Sequence, residues 1–144
     1  MIKTFRGLLA DDASETIALH TNDGSTGYRI VNFQVLDGEP GVIDAESVVK
    51  IYKNPQTTNT VTVDFSDQTL LAVAFYSIDD VTPNQKSSTI IFDREIFNQD
   101  IFVTHINNKG AGPVNYYIEL EQVKLDLNEN TVATLKNIRN ITAP

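Results

Sequence analysis

The sequence predicts an all-β fold, a β-sandwich or jelly-roll-like antiparallel domain over residues 1–144. We expect about eight or nine strands and one short C-terminal helix. Three observations lead to this prediction. Apolar and polar residues alternate with a period of two in most segments. Clusters of Gly, Pro, Asn, Asp and Ser separate these segments at short intervals. The gaps are too short for the helices of roughly ten or more residues that a parallel α/β fold needs.

The first strands are predicted at 2–9 and 15–20, followed by GYRIVNFQVL at 27–36. In the third of these, one alternating set is mostly apolar and the other is polar after Ile30. This pattern is typical of a strand that covers a core with one face. The core-facing set is predicted to be Arg29, Val31, Phe33 and Val35.

The middle of the chain contains three more candidates: ESVVKIYK at 46–53, VTVDF at 61–65 and LLAVAFY at 70–76. VTVDF alternates strictly between apolar and polar residues, which predicts a strand. LLAVAFY is apolar on both faces, which favours a central strand that is covered on each side.

The last strands are predicted at 88–92, 100–106 and, from VNYYIELEQVKL, 114–125. The final one alternates regularly along its length. Its core-facing residues are predicted to be Val114, Tyr116, Ile118 and Leu120.

The stretch IFDREIFNQDIFVTH contains three Ile-Phe pairs that are five residues apart. A spacing of five fits neither a helix nor a strand, because each step changes the side on which the pair lies. We therefore predict a strand that ends near Phe92, a connection that holds Ile96 and Phe97, and a new strand from about Asp100.

A helix is predicted over 128–141, where Val132, Leu135 and Ile138 recur every three residues. Its N-cap is expected at Asn128 or Asn130. A helix of this length must dock its apolar stripe on a sheet to persist.

The composition excludes several classes of partner and chemistry. The formal net charge is −8, and the 11 basic residues are scattered singly, so we expect no nucleic-acid partner. The longest apolar run, at 70–76, is about a third of a membrane span, so we expect no membrane partner. The N-terminal residues contain no apolar stretch of signal-peptide length, so we expect no export through a cleaved signal. The chain contains no cysteine, which excludes disulfides and thiolate chemistry.

Three sets of residues carry side chains that could perform chemistry. Asp93, Glu95 and Asp100 are candidate carboxylates for a glycosidase. His20 and His105 are the only histidines and lack the paired spacing of a zinc site. DFSDQT at 64–69 lacks the Gly and the closing Glu of a calcium loop. We interpret all of them as structural, and we expect no catalytic, cofactor-binding or metal-binding residues, no cofactor and no enzymatic activity.

Seven stretches carry a resemblance to a known group of proteins. They are MIKTFRGLL, GYRIVNFQV, VVKIYK, VDFSDQTLLAVAFY, IFDREIFNQDIFVTH, NYYIELE and TVATLKNIRN. Together they resemble small virion structural proteins of marine tailed phages, cyanophages included. The resemblance implies a component of the virion that is assembled in the host cytoplasm.

The resemblance leaves more than one role open. The first is a capsid decoration (cement) protein that stabilises the head by binding between capsomers. The second is a tail, neck or fibre module that contacts the host, for which exposed aromatics such as Tyr76 or Phe97 would be the sign. The third is a carbohydrate-active β-sandwich enzyme.

The expected partners are the major capsid protein or other virion proteins, together with further copies of the chain in a homo-oligomer, with a trimer favoured. The predicted contact is an N-terminal arm, because an extended terminal segment can add a strand to a neighbour. The arm consists of Ile2, Lys3, Thr4, Phe5 and Arg6.

Overall fold

Eight antiparallel strands form two sheets and are followed by one helix, in a computed structural model that describes residues 1–40, 44–78, 86–92 and 95–142. The predicted all-β, sandwich-like class with a C-terminal helix is confirmed. The strands are β1 (Ile2–Leu9), β2 (Ala13–Ile17), β3 (Thr26–Asp37), β4 (Ala45–Tyr52), β5 (Leu70–Ile78), β6 (Lys86–Ile91), β7 (Ile101–Asn107) and β8 (Val114–Lys124). The helix, α1, is Leu127–Thr142.

The strand order is β1–β8–β3 in one sheet and β2–β7–β4–β5–β6 in the other. The pairings are nested along the chain: β1 pairs with β8, β2 with β7, and β4 with β5. This nesting makes the sandwich jelly-roll-like. The strand β6 departs from a regular jelly roll, because it pairs with β5 in the larger sheet.

The core lies between the inner faces of the two sheets. In β8 the predicted alternation is confirmed, since all four predicted core residues are buried. The strands β4 and β5 lie in the middle of the larger sheet and are buried along most of their length. Val49 and Ile51 of β4 face the smaller sheet, and their side chains are fully buried in the shared core.

The predicted faces of β3 are wrong in its first half. Tyr28 and Ile30 are buried, whereas Val31 is 39% exposed. The reason is a bulge in the pairing with β8 between Ile30 and Asn32. A bulge inserts one extra residue into a strand and so exchanges its two faces. Beyond it, Phe33 again faces the core, as predicted.

The predicted strand at 61–65 is also wrong. These residues lie in the loop between β4 and β5, and Val61, Val63 and Phe65 are 39%, 42% and 54% exposed. Alternation favours a strand only where a neighbouring edge is available for pairing. Here Asp64 instead accepts hydrogen bonds from Ser66, and such a local turn competes with a strand.

The other predicted strands are present, with ends that differ by at most three residues. The helix is present too, but its N-cap is Asp126 instead of Asn128 or Asn130. Asp126 and Glu129 form a reciprocal capping box, in which the Glu129 N–H donates to Asp126 Oδ1 over 2.8 Å.

The helix does not dock through the predicted stripe. Val132 and Leu135 are both more than half exposed, and the side chain of Ile138 lies outside the described residues. The buried side is formed by Ala133, beside Thr134, whose hydroxyl accepts a hydrogen bond from the buried amide of Asn98 over 2.9 Å. A buried amide must be satisfied, so this polar anchor sets the rotation of the helix.

Candidate interaction surface

The stretch from Ile91 to Ile101 has the predicted form of strand, connection and strand. The strand β6 ends at Ile91, and β7 begins at Ile101. Between them, Phe97 forms an isolated bridge with Tyr28, with two backbone hydrogen bonds of 2.8 and 2.9 Å. The ring of Phe97 is buried and stacks on that of Tyr28 with centroids 6.4 Å apart. Phe97 therefore attaches the connection between β6 and β7 to β3.

The candidate carboxylates have separate structural partners. Asp93 lies outside the described residues. Glu95 forms an ion pair with the buried Lys53 and lies 3.5 Å from the Nζ of Lys136. The carboxylate of Asp100 instead accepts hydrogen bonds from the segment just after β2. Glu95 and Asp100 are thus held by different groups, the first in an ion pair with Lys53 and the second by hydrogen bonds from Leu19 and His20.

Asp100 holds the segment after β2 against the start of β7. Its Oδ1 accepts hydrogen bonds from the N–H groups of Leu19 and His20, at 2.8 and 3.1 Å, and contacts His20 Nδ1 at 2.7 Å. Burial raises the pKa of the carboxyl, but the hydrogen bonds from His20 and Leu19 outweigh it. The net effect is a pKa below the ordinary value.

The substitution Asp100→Asn should lower the free energy of unfolding by about 1 kcal/mol at neutral pH, since charged acceptors make the stronger hydrogen bonds. Because the pKa of Asp100 is lower in the folded state, its ionised carboxyl stabilises the protein above the unfolded pKa of about 3.9. This stabilisation is lost as the pH falls through the pKa of the folded state. Urea unfolding from pH 7 to pH 2.5 should therefore show the two proteins converging below about pH 3.9. The exposed Glu39→Gln is the matched control. A difference that stays constant over this range would contradict the assignment.

The two histidines have different surroundings. His105 is fully buried, with its Nδ1 at 3.1 and 3.0 Å from the carbonyl oxygens of Leu9 and Ala10. Its Nε2 lies 3.0 Å from the Ser47 hydroxyl. Since carbonyl oxygens only accept, Nδ1 carries a proton and donates to them, and Nε2 shares a hydrogen bond with the Ser47 hydroxyl. His20 is bound to Asp100 at the surface, and within the described ranges no three His, Asp or Glu side chains form a metal-binding group.

The candidate calcium loop consists of two successive turns. Asp64 Oδ1 accepts from the N–H and hydroxyl of Ser66, at 2.9 and 2.6 Å, and Asp67 Oδ1 does the same with Thr69, at 2.9 and 2.7 Å. The hydrogen bonds from Ser66 lower the pKa of Asp64. Both carboxylates therefore serve to close their own turns.

The surface best suited to binding a partner is the side of the smaller sheet that faces away from the core, which we call the outer face. An open groove of about 670 Å³ runs across it. The register of β1 and β3 on β8 brings residues from all three strands into rows across this face. One row joins Leu8, Asn115 and Leu36, and the next joins Arg6, Tyr117 and Gln34.

The outer face combines exposed apolar side chains with polar ones. Leu8 and Leu36 are both more than half exposed. The Tyr117 hydroxyl donates to Glu119 Oε1 over 2.8 Å, and this hydrogen bond raises the pKa of Tyr117. The side chains of Arg6 and Asn115 make no hydrogen bond to any described residue. They are therefore available to a partner.

The predicted N-terminal arm is part of β1. Its residues pair with β8 in continuous register, from Ile2 opposite Glu121 to Arg6 opposite Tyr117. Phe5 packs against the core, and Lys3 Nζ lies 5.9 Å from the centre of the Tyr28 ring. The strand is an edge of the smaller sheet, and no described strand pairs with its other side. A role of Ile2, Lys3, Thr4, Phe5 and Arg6 in partner contact stays a prediction.

Sequence reasoning missed the residues that β8 and β3 contribute to the outer face. The available signal was weak: Tyr117 and Leu36 are the large apolar or aromatic residues at otherwise polar positions of the two strands. The aromatic residues proposed for host contact, Tyr76 and Phe97, are both buried.

Comparison with known proteins adds no relative: no protein-family model matches the chain, and no curated protein matches it. Among the described residues, no helix has the length and apolar character needed to cross a membrane.

Proposed function

We propose that the protein is a structural component of a tailed-phage virion, and within it a decoration (cement) protein that binds between capsomers and stabilises the head. Its partners are the major capsid protein and further copies of itself, with a trimer as the assembled form. It is assembled into the particle in the host cytoplasm. The resemblance of seven stretches of the sequence to small virion proteins of marine tailed phages supports this proposal.

The observation that carries the proposal is the outer face of the smaller sheet. Tyr and Arg are the residues that most often dominate the energy of protein–protein interfaces, and Tyr117 and Arg6 lie side by side in one row of this face. Leu8 and Leu36 add exposed apolar area on either side of Asn115. A sheet with a packed core behind it holds these groups in a fixed arrangement, which lowers the entropic cost of binding.

A decoration protein needs a stable fold and a complementary surface more than it needs reactive groups. The titratable side chains considered for chemistry have structural partners instead: Glu95 is paired with Lys53, Asp100 with His20, and His105 with Ser47. These pairings support a structural role over the carbohydrate-active enzyme. Activity on a glycan that depended on Glu95 or Asp100 would favour the enzyme.

A second candidate, the tail, neck or fibre module, is favoured by one observation. Phe65 lies in the loop between β4 and β5 and is more than half exposed, and its ring makes an edge-to-face contact with that of Phe92 at 5.5 Å between centroids. An exposed aromatic ring on a loop can stack against a host receptor. The decoration role takes precedence because the outer face combines an aromatic residue, Tyr117, with exposed apolar and charged side chains from three strands.

The copy number of the protein in purified virions separates these roles. Quantitative mass spectrometry, with the major capsid protein as the internal standard, should find hundreds of copies in each particle. A few copies in each particle would instead assign the protein to the tail or neck.

Binding to particles stripped of this protein tests the face itself. The substitution Leu36→Glu should reduce binding by about tenfold or more, because it places a charge in the centre of an apolar contact. Ser88→Glu on the exposed strand β6 adds the same charge elsewhere and should leave binding unchanged. Equal binding by both variants would exclude the outer face as the docking surface.

A further inference from the structure

Two parts of the chain lack a strand partner in complementary ways. One is the segment 60–65 (TVTVDF), which has the sequence of a strand but lies in a loop. The other is the open edge of β1. We propose that segment 60–65 of one copy adds as a strand to the open edge of β1 in a second copy. This inference deepens the proposed function, on whose homo-oligomer it rests.

Segment 60–65 is held outside the sandwich in a position to pair. The Lys50 ammonium on β4 donates to the Thr60 hydroxyl over 3.2 Å and to the Thr62 carbonyl over 2.8 Å. The side chains that follow, Val61, Val63 and Phe65, all remain substantially exposed. Within the described ranges the segment pairs with no strand. Its alternating, β-branched sequence therefore has a strand propensity that the monomer does not use.

The strand β1 offers the matching edge. It pairs with β8 along its whole length, and among the described strands it has no neighbour on its other side. An edge strand presents a row of unpaired N–H and C=O groups, which template the addition of another strand. Lys3, Thr4 and Arg6 are exposed along it, so access to this edge is open.

Charge selects segment 60–65 over a second β1. The strand β1 carries Lys3 and Arg6 and no acidic residue, in a chain with a formal net charge of −8. Pairing two copies of β1 would bring these like charges together, which disfavours the contact. Segment 60–65 carries Asp64 and no basic residue. The basic edge thus repels its own copy and attracts the acidic segment.

The symmetry of the contact follows from its two unlike halves. Each copy would donate one segment and accept one, so the contact is heterologous and generates a ring when the rotation closes. A three-membered ring is the form expected here, with each protomer contributing both halves. A contact between two identical surfaces would instead generate a dimer.

Two variants, each blocked in one half, test the contact. Lys3→Glu/Arg6→Glu blocks the β1 edge and leaves the segment intact. Val63→Pro blocks the segment, because proline cannot donate to a ladder, and leaves the edge intact. Light scattering should give the unaltered chain a mass of about three times 16.0 kDa. Each variant alone should have the mass of a monomer, because the dissociation constant of its self-association is raised at least about tenfold. An equimolar mixture of the two variants should give a complex of two chains and nothing larger. In this mixture the intact segment of the first variant can pair only with the intact β1 edge of the second.

Controls separate this result from misfolding. Lys86→Glu/Lys124→Glu makes the same change of charge at exposed sites on β6 and β8, and Val63→Thr keeps the N–H group. Both should assemble as the unaltered chain does. All variants are compared by circular dichroism and melting temperature, and Arg6→Glu alone replaces the double variant if the latter melts early.

Two outcomes would overturn the inference. One is an unaltered chain that stays monomeric at millimolar concentration. The other is a mixture of the two variants that forms no complex, even at about one hundred times the concentration at which the unaltered chain assembles. Binding to particles is scored separately: a chain that assembles in this way but does not bind particles refutes the decoration role and leaves this contact standing. A chain that stays monomeric but binds particles supports the decoration role and refutes this contact.

Discussion

The substitution His105→Ala should lower the free energy of unfolding by about 4 kcal/mol. The His105 ring is fully buried between the two sheets, and its removal leaves a cavity whose cost depends on how far the core relaxes. It also leaves the carbonyl oxygens of Leu9 and Ala10 and the hydroxyl of Ser47 without this partner. A buried polar group that loses its partner costs about 1–3 kcal/mol. Urea unfolding, followed by circular dichroism, measures the change.

The other histidine is the matched control. His20 has a side chain that is 59% exposed and contacts only the Asp100 region in the described part of the chain. His20→Ala should therefore cost less than about 1 kcal/mol. Ser47→Ala, which removes only the hydroxyl, should cost about 1 kcal/mol. Equal losses for His105→Ala and His20→Ala would show that the buried ring is not part of the structural network described above.

The second large effect is expected for Glu95→Ala, at about 3 kcal/mol. Lys53 is only 3% exposed and forms an ion pair with Glu95, whose side chain is 28% exposed. Removing one partner of a buried pair leaves the other charge poorly compensated, which costs about 3–5 kcal/mol for fully buried pairs. Because Glu95 is partly exposed, we expect the loss of unfolding free energy to lie at the lower end of this range. Guanidinium unfolding at pH 7 measures it.

Two comparisons identify the cause of that loss. Lys136→Met removes the other, half-exposed lysine near Glu95 and should cost less than about 1 kcal/mol. The double variant Lys53→Met/Glu95→Leu replaces both charges by apolar groups and should recover most of the stability, as buried pairs often allow. A double variant as unstable as Glu95→Ala would mean that packing, and not the loss of the ion pair with Lys53, explains the lower stability.

Strands that are regular from end to end were predictable from the sequence. In β8 every second residue from Val114 to Leu120 is buried, so the period of two identifies both the strand and its faces. The same rule failed in β3, because the bulge after Ile30 exchanges the faces at one residue. Ile30 itself was the visible sign, as an apolar residue on the side predicted to be polar. A rule that assumes an unbroken period cannot locate such an insertion.

Alternation predicts what a segment can form, while pairing decides what it does form. Segment 61–65 has a strand sequence but pairs with none of the described strands. The predicted stripe of α1 failed for a similar reason, since the Asn98 amide and the Thr134 hydroxyl select a different face of the helix. Both errors come from long-range contacts that local sequence does not encode.

The candidate surface was predictable only in part. The arm Ile2–Arg6 was singled out as a possible contact, and the structure places it at an open sheet edge. Its neighbours in the outer face, Tyr117 and Leu36, come from strands far apart in the chain. Their proximity depends on strand order, which periodicity does not reveal.

The pairing of β1 with β8 has a consequence for biosynthesis. Ile2 lies opposite Glu121, so more than a hundred residues must follow the first strand out of the ribosome before it finds its neighbour. Topologies dominated by such distant partners fold slowly, and their intermediates expose apolar surface and strand edges. Nascent chains of this protein should therefore depend on chaperones until β8 has emerged, and should then complete the smaller sheet in one late step.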